Sequence, residues 1–303
     1  MTLITTILCF TACGKNENSD IPDPTPDTNQ SSSFEEKTSY DIDLSKQHTS
    51  ADKMTAAPNI KYETIYSNDK YEIATKNISC GNQKITISME FKNKTNEEIK
   101  YASVAWLSVN DWMIPYPEGY ISNVAPNSTA TLDVGIFLSE MAFRKITEAN
   151  KISIVFNIDD ERTEIITIET DAINQNNDYA PEGEIIYEKN GVKFILPKDE
   201  NASGNNIFVY VENNSDKAIY IYGSAKADDY YEPFSSDARG IVFPHSKQTL
   251  VIDMKNYIPK AGDEYKGKVQ FEEYSLSEGD DVIGTLEMRE FTFNIVAERD
   301  KIF

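Results

Sequence analysis

Met89-Glu-Phe-Lys-Asn-Lys-Thr-Asn-Glu-Glu-Ile99 and Val209-Tyr-Val-Glu-Asn-Asn-Ser-Asp-Lys-Ala-Ile219 are two versions of one phrase. Each carries apolar residues at alternate positions, then an Asn, a polar turn and a return to apolar residues. Extended upstream, the alternation aligns Ile85, Ile87, Met89 and Phe91 on one face, and Ile207, Val209 and Val211 on another. A period of two with β-branched residues, closed by a turn signal, predicts half-buried strands. The correspondence continues downstream. Asp111-Trp-Met-Ile-Pro-Tyr116 aligns with Asp229-Tyr-Tyr-Glu-Pro-Phe234, and Val124-Ala-Pro-Asn-Ser128 with Val242-Phe-Pro-His-Ser246. We read this as an internal duplication of about 110–120 residues.

Other alternating sets fill in the strands: Leu132/Val134/Ile136, Ile152/Ile154/Phe156/Ile158, Leu250/Ile252/Met254 and Phe291/Phe293/Ile295. Short strands with regular turns predict an all-β chain of two tandem sandwiches, about seven strands in each. The exception is Ser139–Glu148, where Met141, Ala142 and Ile146 suit a short helix with Ser139 as N-cap. Residues 59–172 are expected to form the first sandwich and 183–303 the second, joined by a short Asn-rich hinge. The pattern from Ile60 onward resembles the immunoglobulin-like modules of poorly characterised bacterial surface lipoproteins. There is no Cys…Trp…Cys framework, so the resemblance implies disulfide-free relatives of that fold.

The N-terminus points to the same family. Met1–Ala12 is an uncharged, largely apolar run of signal-peptide length, too short to span a bilayer as a stable helix. Phe10-Thr-Ala-Cys13 resembles the lipobox of bacterial lipoproteins, with small residues before the cut and a thiol to receive the lipid. Phe10 stands where that family usually has Leu, Val or Ile, and no Lys or Arg precedes the apolar run. The resemblance implies a signal peptide at 1–12, lipidation of Cys13 and an extracytoplasmic, membrane-anchored protein of the cell envelope. Residues 13–58 are rich in Asn, Ser, Thr, Asp and Pro, which predicts a disordered acidic tether with His48 as a solvated side chain.

The chain has 303 residues and a net charge of −21, from 50 acidic against 29 basic residues. That surface repels phosphate backbones, so nucleic-acid binding is disfavoured and no nucleic-acid partner is expected. Catalytic signals are few: two histidines, His48 and His245, no Gly-x-Ser-x-Gly elbow and no His-Glu-x-x-His. The clusters Asp159-Asp-Glu161, Asp228-Asp229, Glu278-Gly-Asp-Asp281 and the linker Asn176-Asn-Asp178 follow no metal-ligand spacing, and neither a cofactor nor a metal is expected. Cys80 is left as the single cysteine of the folded part and reads as a small filler. The exposed-aromatic candidates are Trp112, Tyr116 and Tyr120 in one loop, and Tyr230, Tyr231 and Phe234 in its counterpart. A repeated aromatic beside a repeated proline is just as easily a loop packing back on its own sandwich, and Trp112, the largest and flanked by Asp111, is the leading candidate among them for surface contact. Aromatic faces serve a protein partner or a glycan equally well. The expected function is a non-enzymatic surface module for binding or structural interaction, with carbohydrate binding through the aromatic loops as the alternative.

Overall fold

The computed structural model describes residues 37–46, 48–172, 179–200, 202–203, 206–227, 230–233, 239–253, 260–274 and 282–297. The chain is all-β, as expected, and its one helix among the described residues is six residues long. In chain order the first strands are β1 (Ser39–Asp43), β2 (Thr64–Ser67), β3 (Tyr71–Cys80), β4 (Lys84–Asn93) and β5 (Ile99–Val109). They are followed by β6 (Trp112–Ile114), β7 (Tyr120–Val124), β8 (Thr129–Phe137), helix α1 (Leu138–Phe143), β9 (Lys151–Ile158), β10 (Glu161–Arg162) and β11 (Ile166–Glu169). The second half contains β12 (Gly183–Lys189), β13 (Val192–Pro197), β14 (Ala202–Ser203), β15 (Asn206–Asn213), β16 (Ala218–Ala227) and β17 (Tyr230–Pro233). It ends with β18 (Arg239–Val242), β19 (Ser246–Asp253), β20 (Glu264–Tyr274) and β21 (Val282–Ala297).

The two halves share one Greek-key path. In the first, β3 and β4 form a hairpin, β5 and β7 lie in the opposite layer, β8 returns to pair with β4, and β9 and β11 extend the layer of β5. In the second, β13 and β15, then β16 and β18, then β19, β20 and β21 repeat the sequence of moves. This is the immunoglobulin-like distribution of strands between two layers. The alternating residues explain it: Ile85, Ile87 and Met89 stand opposite Ile136, Val134 and Leu132, and all six are buried. Their counterparts Ile207 and Val209 face Ile252 and Leu250, also buried.

The repeated Asn closes each copy in the same way. Asn93 Nδ2 donates to the carbonyls of Glu97, Val124 and Ala125 at 2.7, 3.0 and 3.1 Å, while its Oδ1 accepts from the Thr95 N–H and hydroxyl at 2.9 and 2.8 Å. Asn213 Nδ2 donates to Lys217, Val242 and Phe243, and its Oδ1 accepts from both donors of Ser215. Both side chains are fully buried. Asn127 and His245, aligned in the repeat, share the left-handed conformation at φ 53° and 54°.

The modules are not separate beads. Among the described residues the middle sheet holds eleven strands and runs through both halves by a parallel contact of β6 with β19. Its two faces serve different cores. Trp112, Ile114, Ile154, Ile195 and Tyr210 face the first core; Met113, Val155, Phe194 and Val209 face the second. The sheet β2-β3-β4-β8 covers one face at one end, and the sheet built on β21, β20 and β16 covers the other face at the other end.

Two expectations are corrected. The tether does not extend to residue 58: β1 pairs in parallel with β21 at the edge of the second module, burying Tyr40, Ile42 and Leu44 in its core. The chain then crosses to the first module, where Met54 is buried. Residues 1–36, with Cys13 and the signal-peptide reading, lie outside the described residues. In α1 the N-cap is Phe137 without a side-chain cap bond, so Ser139 is two residues too late for that role. Met141, Ala142 and Ile146 are buried as the short-helix reading required.

Candidate functional site at the module junction

The joint is built from a two-residue turn. Asn110 and Asp111 adopt φ 51° and 64° between β5 and β6, with Val109 opposite Trp112. Two left-handed residues make the hairpin turn whose twist matches its strands, and Asn and Asp tolerate it best among residues with a side chain. Asn110 then secures the turn: its Oδ1 accepts from the N–H of Asn150 at 3.0 Å, and its Nδ2 donates to Glu148 O at 2.7 Å. The Asp111 carbonyl, left pointing outward, accepts the Lys247 N–H at 2.7 Å.

This geometry turns Trp112 inward. The indole is 1% exposed, with ring centroids 5.2 Å from Tyr210 and 6.2 Å from Tyr179. The choice of Trp112 as the leading surface candidate is therefore corrected in favour of the packing alternative: Asp111 marks the turn, and the residue after it belongs to a strand covered by the second module. Tyr179, from the segment read as a hinge, packs on it.

A polar cluster closes the same side. Glu200 accepts from Lys145 Nζ at 2.7 Å, Thr49 Oγ1 at 2.6 Å and Tyr179 OH at 3.0 Å. Burial works against its charge, but these donors outweigh it and hold its carboxyl at about 2. His48 is not solvated. Its Nε2 donates to Phe143 O at 2.7 Å, its ring packs 4.2 Å from Phe143 and 5.6 Å from Phe208, and Nδ1 faces Glu200 at 3.5 Å. Burial lowers its pKa, so the ring is neutral near pH 7. Segments distant in sequence (residues 48–49, 143–145, 179 and 200) thus share one clasp.

The other side of the joint is an open cleft of about 160 Å³. Trp106, Pro115, Tyr116, Pro117, Ile241 and Gln248 line it. Trp106 reaches it because β5 bulges between Val104 and Trp106, which turns the indole away from the first core. The Arg162 guanidinium stacks over the indole at 4.6 Å, and Tyr274 meets it edge-on at 5.6 Å. Tyr116 is 54% exposed at the rim, and Tyr120 is 64% exposed at the start of β7. Tyr230 and Tyr231 open β17, and their side chains, like Phe234, lie outside the described residues. Sequence reasoning missed Trp106 and Gln248. A single unexplained Trp in a strand of small residues was the available signal for the first; none marked the second.

Asp228-Asp229, Glu278-Gly-Asp-Asp281 and Asn176-Asn-Asp178 lie outside the described residues, and the other candidates are structural in their contacts. Asp159, at φ 49°, accepts from the Tyr101 N–H, and Glu161 pairs with Lys70. Among the described residues no group of three or more His, Cys, Asp or Glu side chains is arranged to hold a metal ion. Cys80 ends β3, half-buried beside the Met54 carbonyl. His245 pairs with Asp216 at 2.9 Å on an exposed turn. No helix among the described residues is long and apolar enough to cross a membrane.

No protein-family model and no curated protein matches the chain. Among solved structures, red sea bream transglutaminase is similar at 12% identity with a TM-score of 0.21, over 78% of this chain and 32% of that one. The chain thus spans about a third of that protein's length, and a likeness this weak carries no argument.

Proposed function

We propose that this chain is a lipid-anchored, non-enzymatic binding protein of the cell envelope that presents two immunoglobulin-like modules as a single arm. The observation that carries the reading is the strap formed by residues 37–58. It adds β1 to the edge of the second module, passes through the Glu200 clasp and enters the first module. A segment that only spaced a domain from its anchor would need no such contacts. The strap and the shared middle sheet make the arm stiff, as a display role favours. The two histidines support the same reading, since His48 is committed to packing and His245 to a turn.

The anchor is tested at Cys13. The Cys13→Ser chain is expected to lose fatty-acid labelling and to leave the membrane fraction on cell fractionation. Unchanged labelling would overturn it. The binding role is tested by crosslinking on intact cells, which is expected to recover a defined partner.

A further inference from the structure

Among the described residues the lining of the cleft beside the junction holds no charged side chain, in a chain of net charge −21, and the charge that borders it is the Arg162 guanidinium over the Trp106 indole. Resting on the binding role proposed above, we propose that the cleft is a subsite for a neutral, hydroxyl-bearing six-membered ring: a pyranose unit of an uncharged polysaccharide. The cleft, about 160 Å³ and open on one side, receives one face of such a ring while the rest stays in solvent.

Three features select that chemistry. Tyr116 stands at the rim between Pro115 and Pro117, held at φ 54°. A left-handed non-glycine residue before a proline is sterically disfavoured, so the surrounding loop imposes it. Two fixed prolines also leave little backbone freedom to lose when the ring is covered. Trp106, one face of which carries Arg162, adds a second aromatic wall with what it presents to the cleft, and aromatic faces stack on the C–H face of a sugar.

Gln248 supplies the polar contact. It is 7% exposed, and its Oε1 has no hydrogen-bond partner among the described residues. Its amide lies over Gly240, where a Cβ would stand 2.7 Å from Nε2, so the glycine makes the room. A buried amide oxygen without a donor is costly; it is covered in the structure, and rotation of the Gln248 amide at the cleft wall turns it toward a ligand hydroxyl. A polyproline segment, the other ligand that such walls attract, brings no N–H at its prolines and needs a groove longer than one ring.

The test is a panel of neutral oligosaccharides titrated calorimetrically into the full chain. At least one is expected to bind saturably. Tyr116→Ala, at a half-exposed position where folding is kept, is expected to weaken it about tenfold. Gln248→Leu is expected to do the same, and Tyr120→Ala, outside the cleft, to change nothing. A blank panel would overturn the subsite, as would equal binding by all variants or binding of a proline-rich peptide alone. A blank panel would leave the anchor to its own test at Cys13.

Discussion

Asn93 and Asn213 show how one amide organises a module. Each fills all its hydrogen-bonding capacity with backbone and turn groups from three segments, in full burial. Replacing either by Ala strands three carbonyls and two donors, and urea denaturation should show a loss of about 2–4 kcal/mol. Asp at the same site should be worse at neutral pH, because an oxygen would face the three carbonyls. These residues were legible as a repeated phrase, since their partners lie within about 30 residues and recur in both copies. Trp112 was not. Its strand of three residues shows no period, and what buries it comes from Tyr179 and Tyr210 in the other half. Trp112→Ala should therefore cost about 3–5 kcal/mol in the same measurement, the range for emptying a large core site.

At the scale of elements, the strap and its clasp set a pH dependence. The Glu200 carboxyl, ordinarily near 4.5, is held at about 2 in the fold. Its contribution is thus fully present above pH 4.5 and is lost as the pH falls toward 2. His48, ordinarily near 6.5, is lowered by burial. The unfolded chain takes up a proton below pH 6.5 that the fold resists, so stability again falls in acid. Both signs agree. The melting temperature should drop between pH 6.5 and pH 2, and Glu200→Gln should be less stable at pH 7 while losing less on acidification. A parallel shift of the two melting curves would contradict the assignment. The strap itself was half legible: Tyr40, Ile42 and Leu44 alternate, but three apolar positions in a polar stretch fail to outweigh its composition. Their stabilising partner is a strand roughly 250 residues away (Tyr40 opposite Phe293), a pairing that local periodicity cannot register. The long β15 had a similar fate: its second face, Phe208 and Tyr210, is buried by the other module and the strap.

For the whole molecule, the consequence is cooperativity. Two sandwiches joined by a flexible hinge would melt independently, each according to its own core. Here the middle sheet is common to both, its opposite faces belong to different cores, and the strap binds the edge of one module before entering the other. Scanning calorimetry on residues 37–303 should therefore give one transition, with van't Hoff and calorimetric enthalpies in agreement. A chain begun at Asn59, the boundary that composition suggested, loses Tyr40, Ile42 and Leu44 from the second core. At about 1.5–3 kcal/mol for each buried side chain, that loss is a large share of the stability of an ordinary domain. It also bares the edge of β21, sixteen residues long, to pairing with another chain. The shortened chain should thus melt lower and self-associate in sedimentation, whereas two well-separated transitions in the longer one would show that the modules stand apart.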